Sequence, residues 1–224
     1  MEQAFRFTNV RPGFANIPRP LRRMTAFQRV PGQLFQFAGD LQERDVFACG
    51  DITHSTLFLE ELITKIPNCF CIPGNWDNRI VNDYMLKQKQ CVHEQKRELK
   101  NGVSVVGFGY SSPTPFGTYG ELSEEEIYFR LAKLPIDPNT LLMLHCPPYG
   151  HFDNRGEKHF GSHSVLKIIN EKKPLAAFFG HVHELVGVKK LNDTMLIKLP
   201  PANEMRACSV EIVGRTIKTE VVSL

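Results

Sequence analysis

From residue 45 onward, short apolar runs alternate with amphipathic stretches and turn signals, and this pattern predicts most of the elements. Asp45–Cys49 (DVFAC) reads as a buried strand that ends on Gly50-Asp51. A helix follows, capped near Thr53 or Ser55, with Leu57, Leu59, Leu62, Ile63 and Ile66 on its apolar side. Residues 69–73 (CFCIP) form a second strand leading into Gly74-Asn75, and a helix is expected over 79–90. Residues 95–99 and 103–108 flank Asn101-Gly102, a strong short hairpin signal. Ser123 with Glu126 makes a capping box that opens an amphipathic helix toward Leu134. A buried strand over 140–145 (TLLMLH) ends on a histidine. A helix over 162–170 stops before Pro174, and a strand over 175–179 (LAAFF) ends at Gly180-His181. Strands alone follow, over 185–189, 194–199, 207–213 and 216–222. Strand–helix alternation closed by hairpins predicts an α/β fold with two packed mixed sheets and helices outside.

Residues 1–44 break the pattern. They hold seven of the thirteen arginines, none of the fourteen lysines and four prolines, with a strand-like run only at residues 4–10. Two readings stand side by side: a loosely packed arm, or a stretch translated out of frame. Either sets 1–44 apart from a domain at 45–224, and predicts that the first 44 residues add little to the fold.

Composition narrows the class without naming a function. Hydrophobic residues at 42% and charged residues at 23% are those of an ordinary globular protein. A net charge of +3 is too small to point to a nucleic-acid or membrane partner. No apolar run approaches the roughly 18 residues that span a bilayer, and the N-terminus has no apolar signal core. Cys49, Cys69, Cys71 and Cys146 sit in or beside apolar runs and show neither zinc-ribbon nor disulfide-scaffold spacing. Buried free thiols in a reducing cytoplasm are the expectation.

The chemistry collects at strand ends: Gly50-Asp51, Gly74-Asn75-Trp76-Asp77, His145, and Gly180-His181-Val182-His183. Open α/β sheets place their sites at such ends. A lone Gly-Asp is a common turn and a lone histidine is usually structural, but four such loops in order are harder to reach by accident. Asp51 is a carboxylate able to bridge two cations. Asn75, His145, His181 and His183 are neutral N and O donors suited to zinc, iron, nickel or manganese. His181 and His183, two apart, point the same way if the backbone there is extended.

This set resembles the calcineurin-like metallophosphoesterase superfamily, whose motifs run D-x-H, G-D, G-N-H/x-D, H and G-H-x-H. More narrowly it resembles a small, prokaryotic, archaeal-type branch of predicted phosphoesterases. The marks are Thr114-Pro115-Phe116-Gly117, His145-Cys146-Pro147-Pro148-Tyr149-Gly150 and His159-Phe160-Gly161-Ser162. The resemblance covers about residue 45 to the C-terminus and implies a four-layer αββα sandwich. It also implies two divalent metal ions: Asp51 bridging them, Asn75, His145 and His181 completing the distal one, His183 reaching the proximal one. Two ions about 3.5–4 Å apart activate a shared water and clamp an in-line displacement.

Two departures bear on the reaction. Trp76 stands where many relatives carry a leaving-group histidine, which favours a small-molecule or nucleotide phosphodiester over a monoester. Asp77 has two readings, a supporting acid or a helix cap. The D-x-H motif is absent: it is expected near residues 21–27, where nothing fits, and the strand-like run at 4–10 offers only Asn9 and Arg11. The proximal metal keeps Asp51 and His183, so the chain is expected to bind one ion rather than two. A metal-dependent phosphodiesterase is the leading function. A catalytically degenerate binding or scaffolding protein is the alternative, and a repair-type nuclease lacks a basic, aromatic-interleaved face.

Overall fold

Three separate apolar clusters set the layering of this chain, and each is one interface of a sandwich. The computed structural model describes residues 22–27, 45–99 and 102–223. Its first sheet contains β1 (Arg22–Phe27), β2 (Asp45–Cys49), β3 (Cys69–Ile72), β12 (Arg206–Val213) and β13 (Thr216–Ser223), in the order β13-β12-β1-β2-β3. The second contains β4 (Lys96–Glu98), β5 (Ser104–Phe108), β6 (Thr140–Leu144), β9 (Ala176–Phe179), β10 (Gly187–Leu191) and β11 (Thr194–Lys198), in the order β10-β11-β9-β6-β5-β4. Helices α1 (Thr56–Lys65) and α2 (Arg79–Met85) cover the first sheet. Helices α3 (Glu124–Ala132) and α4 (His163–Lys172) cover the second. The four-layer αββα sandwich of two mixed sheets is therefore the fold.

Side-chain alternation along the strands explains why both sheet faces are dry. In β2, Val46 and Ala48 face α1 and α2, while Phe47 and Cys49 face the second sheet. In β6, Leu141 and Met143 face inward, and Leu142 and Leu144 pack under α3 and α4. Continuous apolar runs are what strands buried on both faces require. Phe47 meets Phe178 edge-on across the sheets, with ring centroids 5.4 Å apart. Truncating such a fully buried ring costs about 3–5 kcal/mol.

Several boundaries move for local reasons. Ser55 caps α1 by accepting from Phe58 N, but Leu57, placed on the apolar side from sequence, is 76% exposed. Leu59, Leu62, Ile63 and Ile66 carry that face, with Phe58 partly buried against the same cluster. The helix expected over 79–90 ends at Met85, because the chain turns to lay Cys91 beside Cys71, where Val92 N donates to Cys71 O at 2.9 Å. Ser123 caps α3 as its spacing implies, and Ser162, expected as the first residue of its helix, is instead the cap of α4.

The expectation for residues 1–44 needs correction at one segment. Residues 22–27 form an inner strand, parallel to β2 and antiparallel to β12. The run at 4–10, the sequence candidate for the first strand, lies outside the described residues. A hairpin of β7 (Asn154–Arg155) and β8 (Lys158–His159) also went unforeseen. No described helix is long and apolar enough to cross a membrane, and all six cysteines are buried and free.

Candidate functional site

Because β1, β2, β3, β6 and β9 run parallel within their sheets, their C-terminal ends gather at one edge of the sandwich. Asp51 follows β2, Asn75 follows β3, His145 follows β6 and His181 follows β9. His145 Nε2 lies 2.9 Å from Asn75 Oδ1 and 3.5 Å from Asp51 Oδ1. His181 Nδ1 lies 3.0 Å from Asn75 Oδ1 and 3.3 Å from His145 Nε2.

The protons of this cluster can be counted from its partners. His145 Nδ1 faces the carbonyl of Cys49 at 2.9 Å, so it carries the hydrogen, and in the neutral ring Nε2 is a bare lone pair. Asn75 is oriented just as firmly. Its Nδ2 donates to Thr118 Oγ1 at 2.8 Å, and that hydroxyl donates onward to Glu121 Oε1 at 2.6 Å. Asn75 Oδ1 must therefore turn toward the histidines. Burial pushes the Glu121 carboxyl up, but hydrogen bonds from Thr114 and Thr118 outweigh it and hold the group below its usual range, ionised. His181 is driven well below an ordinary histidine by burial, then by the charges of His145, Lys198 and His183. With His145 Nδ1 committed to the Cys49 carbonyl, Nε2 and Asn75 Oδ1 face each other as acceptors at 2.9 Å, and Asp51 Oδ1 stands 3.5 Å from the same nitrogen. In the neutral cluster His181 Nδ1 is the one atom that can bring a proton. Such a set is unfavourable until something positive sits at its centre.

The backbone holds these groups at a cost. Asp51 and His181 both adopt left-handed conformations, with φ of 52° and 71°, and strain of this kind is typically kept where function needs it. Two glycines allow the close approach. A Cβ on Gly74 would stand 2.1 Å from Asp51 Oδ1, and one on Gly50 2.3 Å from His145 Nδ1. Trp76 N donates to Asp51 Oδ1 at 2.9 Å, fixing the carboxylate. The left-handed turn at His181 also overturns the expectation of an extended His181–His183 segment. His183 lines the same cleft, near enough for its charge to act on His181.

Asp77 caps nothing. Asn78 is the cap of α2, accepting from Val81 N. Asp77 instead accepts from Thr53 N at 3.0 Å with Oδ1 and from Gly74 N at 2.7 Å with Oδ2, tying the loops after β2 and β3 together. Burial, then the charge of Asp51, raises its carboxyl to about 6, against the pull of those amides and His145. Of the other loop polars weighed from sequence, Asp153 is buried and bound by Gly150 N, Gly161 N and His159, a role in shaping the loop. His151 and His159 do not line the cleft.

Thr118, Glu121 and Lys198 were not singled out from the sequence. The first two lie just past the Thr114–Gly117 mark, and only their hydrogen bonds reveal them. Lys198, in an apolar strand, is 1% exposed and donates to Gly180 O at 2.7 Å, below the His181 turn. Burial lowers its amine to about 7.

Among the described residues no three His, Cys, Asp or Glu side chains form a metal cage by themselves. The convergence depends on the amide of Asn75, with Asp51 at its margin. The cluster opens into a cleft of about 580 Å³, lined also by Thr53, His54, Trp76, Phe116, Arg155 and Phe160.

Comparison with known proteins agrees with the fold. The family model for calcineurin-like phosphoesterases matches residues 14–185. An uncharacterized protein of Methanocaldococcus jannaschii is 32% identical over 165 residues, covering 68% of this chain and 75% of that one. A Thermus thermophilus structure superposes with a TM-score of 0.65 at 18% identity, covering 90% of this chain and 99% of that one. A dimetal phosphatase from Danio rerio superposes at 0.57 with 11% identity, covering 92% and 99%. Likeness to the solved structures bears on fold alone; the family match and the archaeal relative carry the assignment, and the chain belongs to the calcineurin-like phosphoesterases, a family of metal-dependent phosphoesterases.

Proposed function

We propose that this chain hydrolyses phosphodiesters with one firmly held divalent ion, and that Asn75, His145, His181 and Asp51 hold it. The observation that carries the reading is the proton-poor cluster of lone pairs. Its spacing fits a cation. Bonds of about 2.1 Å place neighbouring ligands roughly 3.0 Å apart in an octahedral shell and about 3.4 Å apart in a tetrahedral one. The atom pairs here stand 2.9, 3.0, 3.3 and 3.5 Å apart. The donor set suits manganese, zinc, iron or nickel alike.

When bound, such an ion supplies Lewis-acid polarisation of a phosphoryl oxygen. The chain's own residues do the rest. Glu121, through Thr118, keeps the Asn75 oxygen aimed inward. The Cys49 carbonyl keeps His145 in the tautomer that offers Nε2. Asp77 is a positioning residue, holding the Thr53 and Gly74 loops at one separation. In the overall step water adds to phosphorus, one P–O ester bond breaks, and the departing alcohol takes up a proton. Trp76 has no titrating group to give that proton. A leaving group that departs without help is therefore favoured.

One ion also fits one charge. A phosphodiester carries a single negative charge and a monoester carries two, so a site short of its second cation suits the diester better. The sequence after β1 reads Gln28-Arg29-Val30-Pro31, with no Asp-x-His, and Asp51 and His183 are left to any proximal ion. Loss of one Lewis acid forfeits several kcal/mol of transition-state stabilisation, so turnover is expected to be slow. The same gap is what favours the second reading, a binding protein that keeps the fold without the reaction. Hydrolysis of bis(p-nitrophenyl) phosphate and of p-nitrophenyl phosphate, with Mn²⁺ and with Asp51→Asn beside the wild type, separates them. Slow diester turnover lost in the variant supports the proposal. No metal-dependent turnover on either ester points to the binding protein.

A further inference from the structure

The cleft is larger than a phosphate needs, and one wall is aromatic. At about 580 Å³ it falls in the range of sites that enclose a whole small molecule. Trp76 directly follows Asn75 and is anchored to the cluster through its N–H to Asp51, yet its side chain is half open, 50% exposed. Phe116, from the loop that also supplies Thr114 and Thr118, is 61% exposed and stands with its ring centroid 6.0 Å from that of Trp76, tilted by 48°. Both rings line the cleft, and so does Phe160. Large apolar side chains held open beside a polar cluster mark a place where a ligand completes the packing. Rings can be stacked on by any flat π system, whatever its hydrogen-bonding edge.

Resting on the phosphodiesterase reading above, we infer that the substrate is a small nucleotide diester whose base stacks on the Trp76–Phe116 wall while its phosphate lies at the Asn75–His145–His181 cluster. A nucleotide diester joins a phosphodiester to a flat aromatic base, the two features this cleft offers to bind. A nucleic-acid polymer fits less well. Among the described residues lining the cleft, Arg155 is the single Lys or Arg, and it pairs with Glu184 at 2.8 Å. Tracking a polymer backbone instead takes several phosphate-neutralising cations. Trp76, the leaving-group position read from sequence as a loss, becomes a specificity residue.

Trp76 is the only tryptophan in the chain, so its fluorescence reports on its own wall. Mn²⁺-loaded protein is titrated with adenosine 5′-monophosphate and with ribose 5-phosphate, and bis(p-nitrophenyl) phosphate hydrolysis is followed in parallel. The inference predicts saturable quenching by the nucleotide. It also predicts binding about tenfold tighter than that of ribose 5-phosphate, and loss of that advantage in Phe116→Ala. Trp76→Leu, followed by calorimetry, should lose the same preference. Equal affinity for the two ligands, or a preference untouched by Phe116→Ala and Trp76→Leu, overturns the aromatic subsite even where the diester is hydrolysed. Nucleotide-selective quenching without hydrolysis of any diester keeps the subsite and overturns the reaction instead.

Discussion

A histidine that has given its only ring proton to a backbone carbonyl can do little with its other nitrogen except accept. His145 is in that position, and Asn75 is brought to the same state by a longer relay, Glu121 through Thr118. The ligand-type residues were legible in the sequence because they end apolar strands; the relay was not, because Thr118 and Glu121 look like any polar loop residues. Glu121→Gln tests it. A neutral amide cannot fix the Thr118 hydroxyl as firmly, the Asn75 amide is freed to turn, and Mn²⁺ affinity should fall about 10–100-fold. Calorimetric titration of both proteins measures this, and equal affinity contradicts the relay. Lys198 supplies a prediction in pH. Burial holds its amine near 7, against weaker upward pulls from Cys49, Glu184 and Cys146, whereas an unfolded lysine titrates near 10.4. Between those values the unfolded chain binds the extra proton, so stability rises with pH, by up to about 1.4 kcal/mol per pH unit. The buried thiols Cys49 and Cys69, raised above their ordinary value, work in the opposite sense at higher pH. The usable window therefore runs from about pH 7 to about pH 8.5. Denaturant midpoints across it should climb in the wild type and flatten in Lys198→Met; parallel slopes contradict the assignment.

At the scale of elements, patterning worked where strands are buried on both faces and failed where it had to judge short or polar segments. β2, β3, β6 and β9 are unbroken apolar runs, so their ends, and the site with them, could be located to within a residue. The α2 helix was overextended because nothing local announces that Cys91 will pair beside Cys71. β1 was missed for a different reason. Its sequence, RRMTAF, opens on two arginines and presents no apolar run, so only pairing on both sides makes it a strand. That placement reverses the expectation for the N-terminal stretch. Removing residues 1–44 would strip β2 and β12 of a shared neighbour and open two backbone edges, a template for aggregation. The fragment 45–224 should be insoluble or melt without cooperativity in calorimetry. A soluble, cooperatively melting fragment would show that β1 is dispensable.

Over the whole molecule, fold and chemistry divide the work. Two sheets buried against each other and under the four described helices make a packed edge, and β2, β3, β6 and β9 deliver their loops to it. Left-handed turns at Asp51 and His181 and the Gly50–Gly74 approach are tolerated because that edge is over-determined by its packing. What the edge holds is a group of lone pairs needing a positive charge, with an aromatic wall beside it. On the proposed reading, the lack of an Asp-x-His motif limits the number of ions without dissolving this group. The most direct test is metal content by elemental mass spectrometry, after Mn²⁺ or Zn²⁺ loading and removal of free metal. The account predicts about one ion per wild-type chain, and its loss in His145→Ala and His181→Ala. Equal metal in wild type and variants, or none in either, would contradict it.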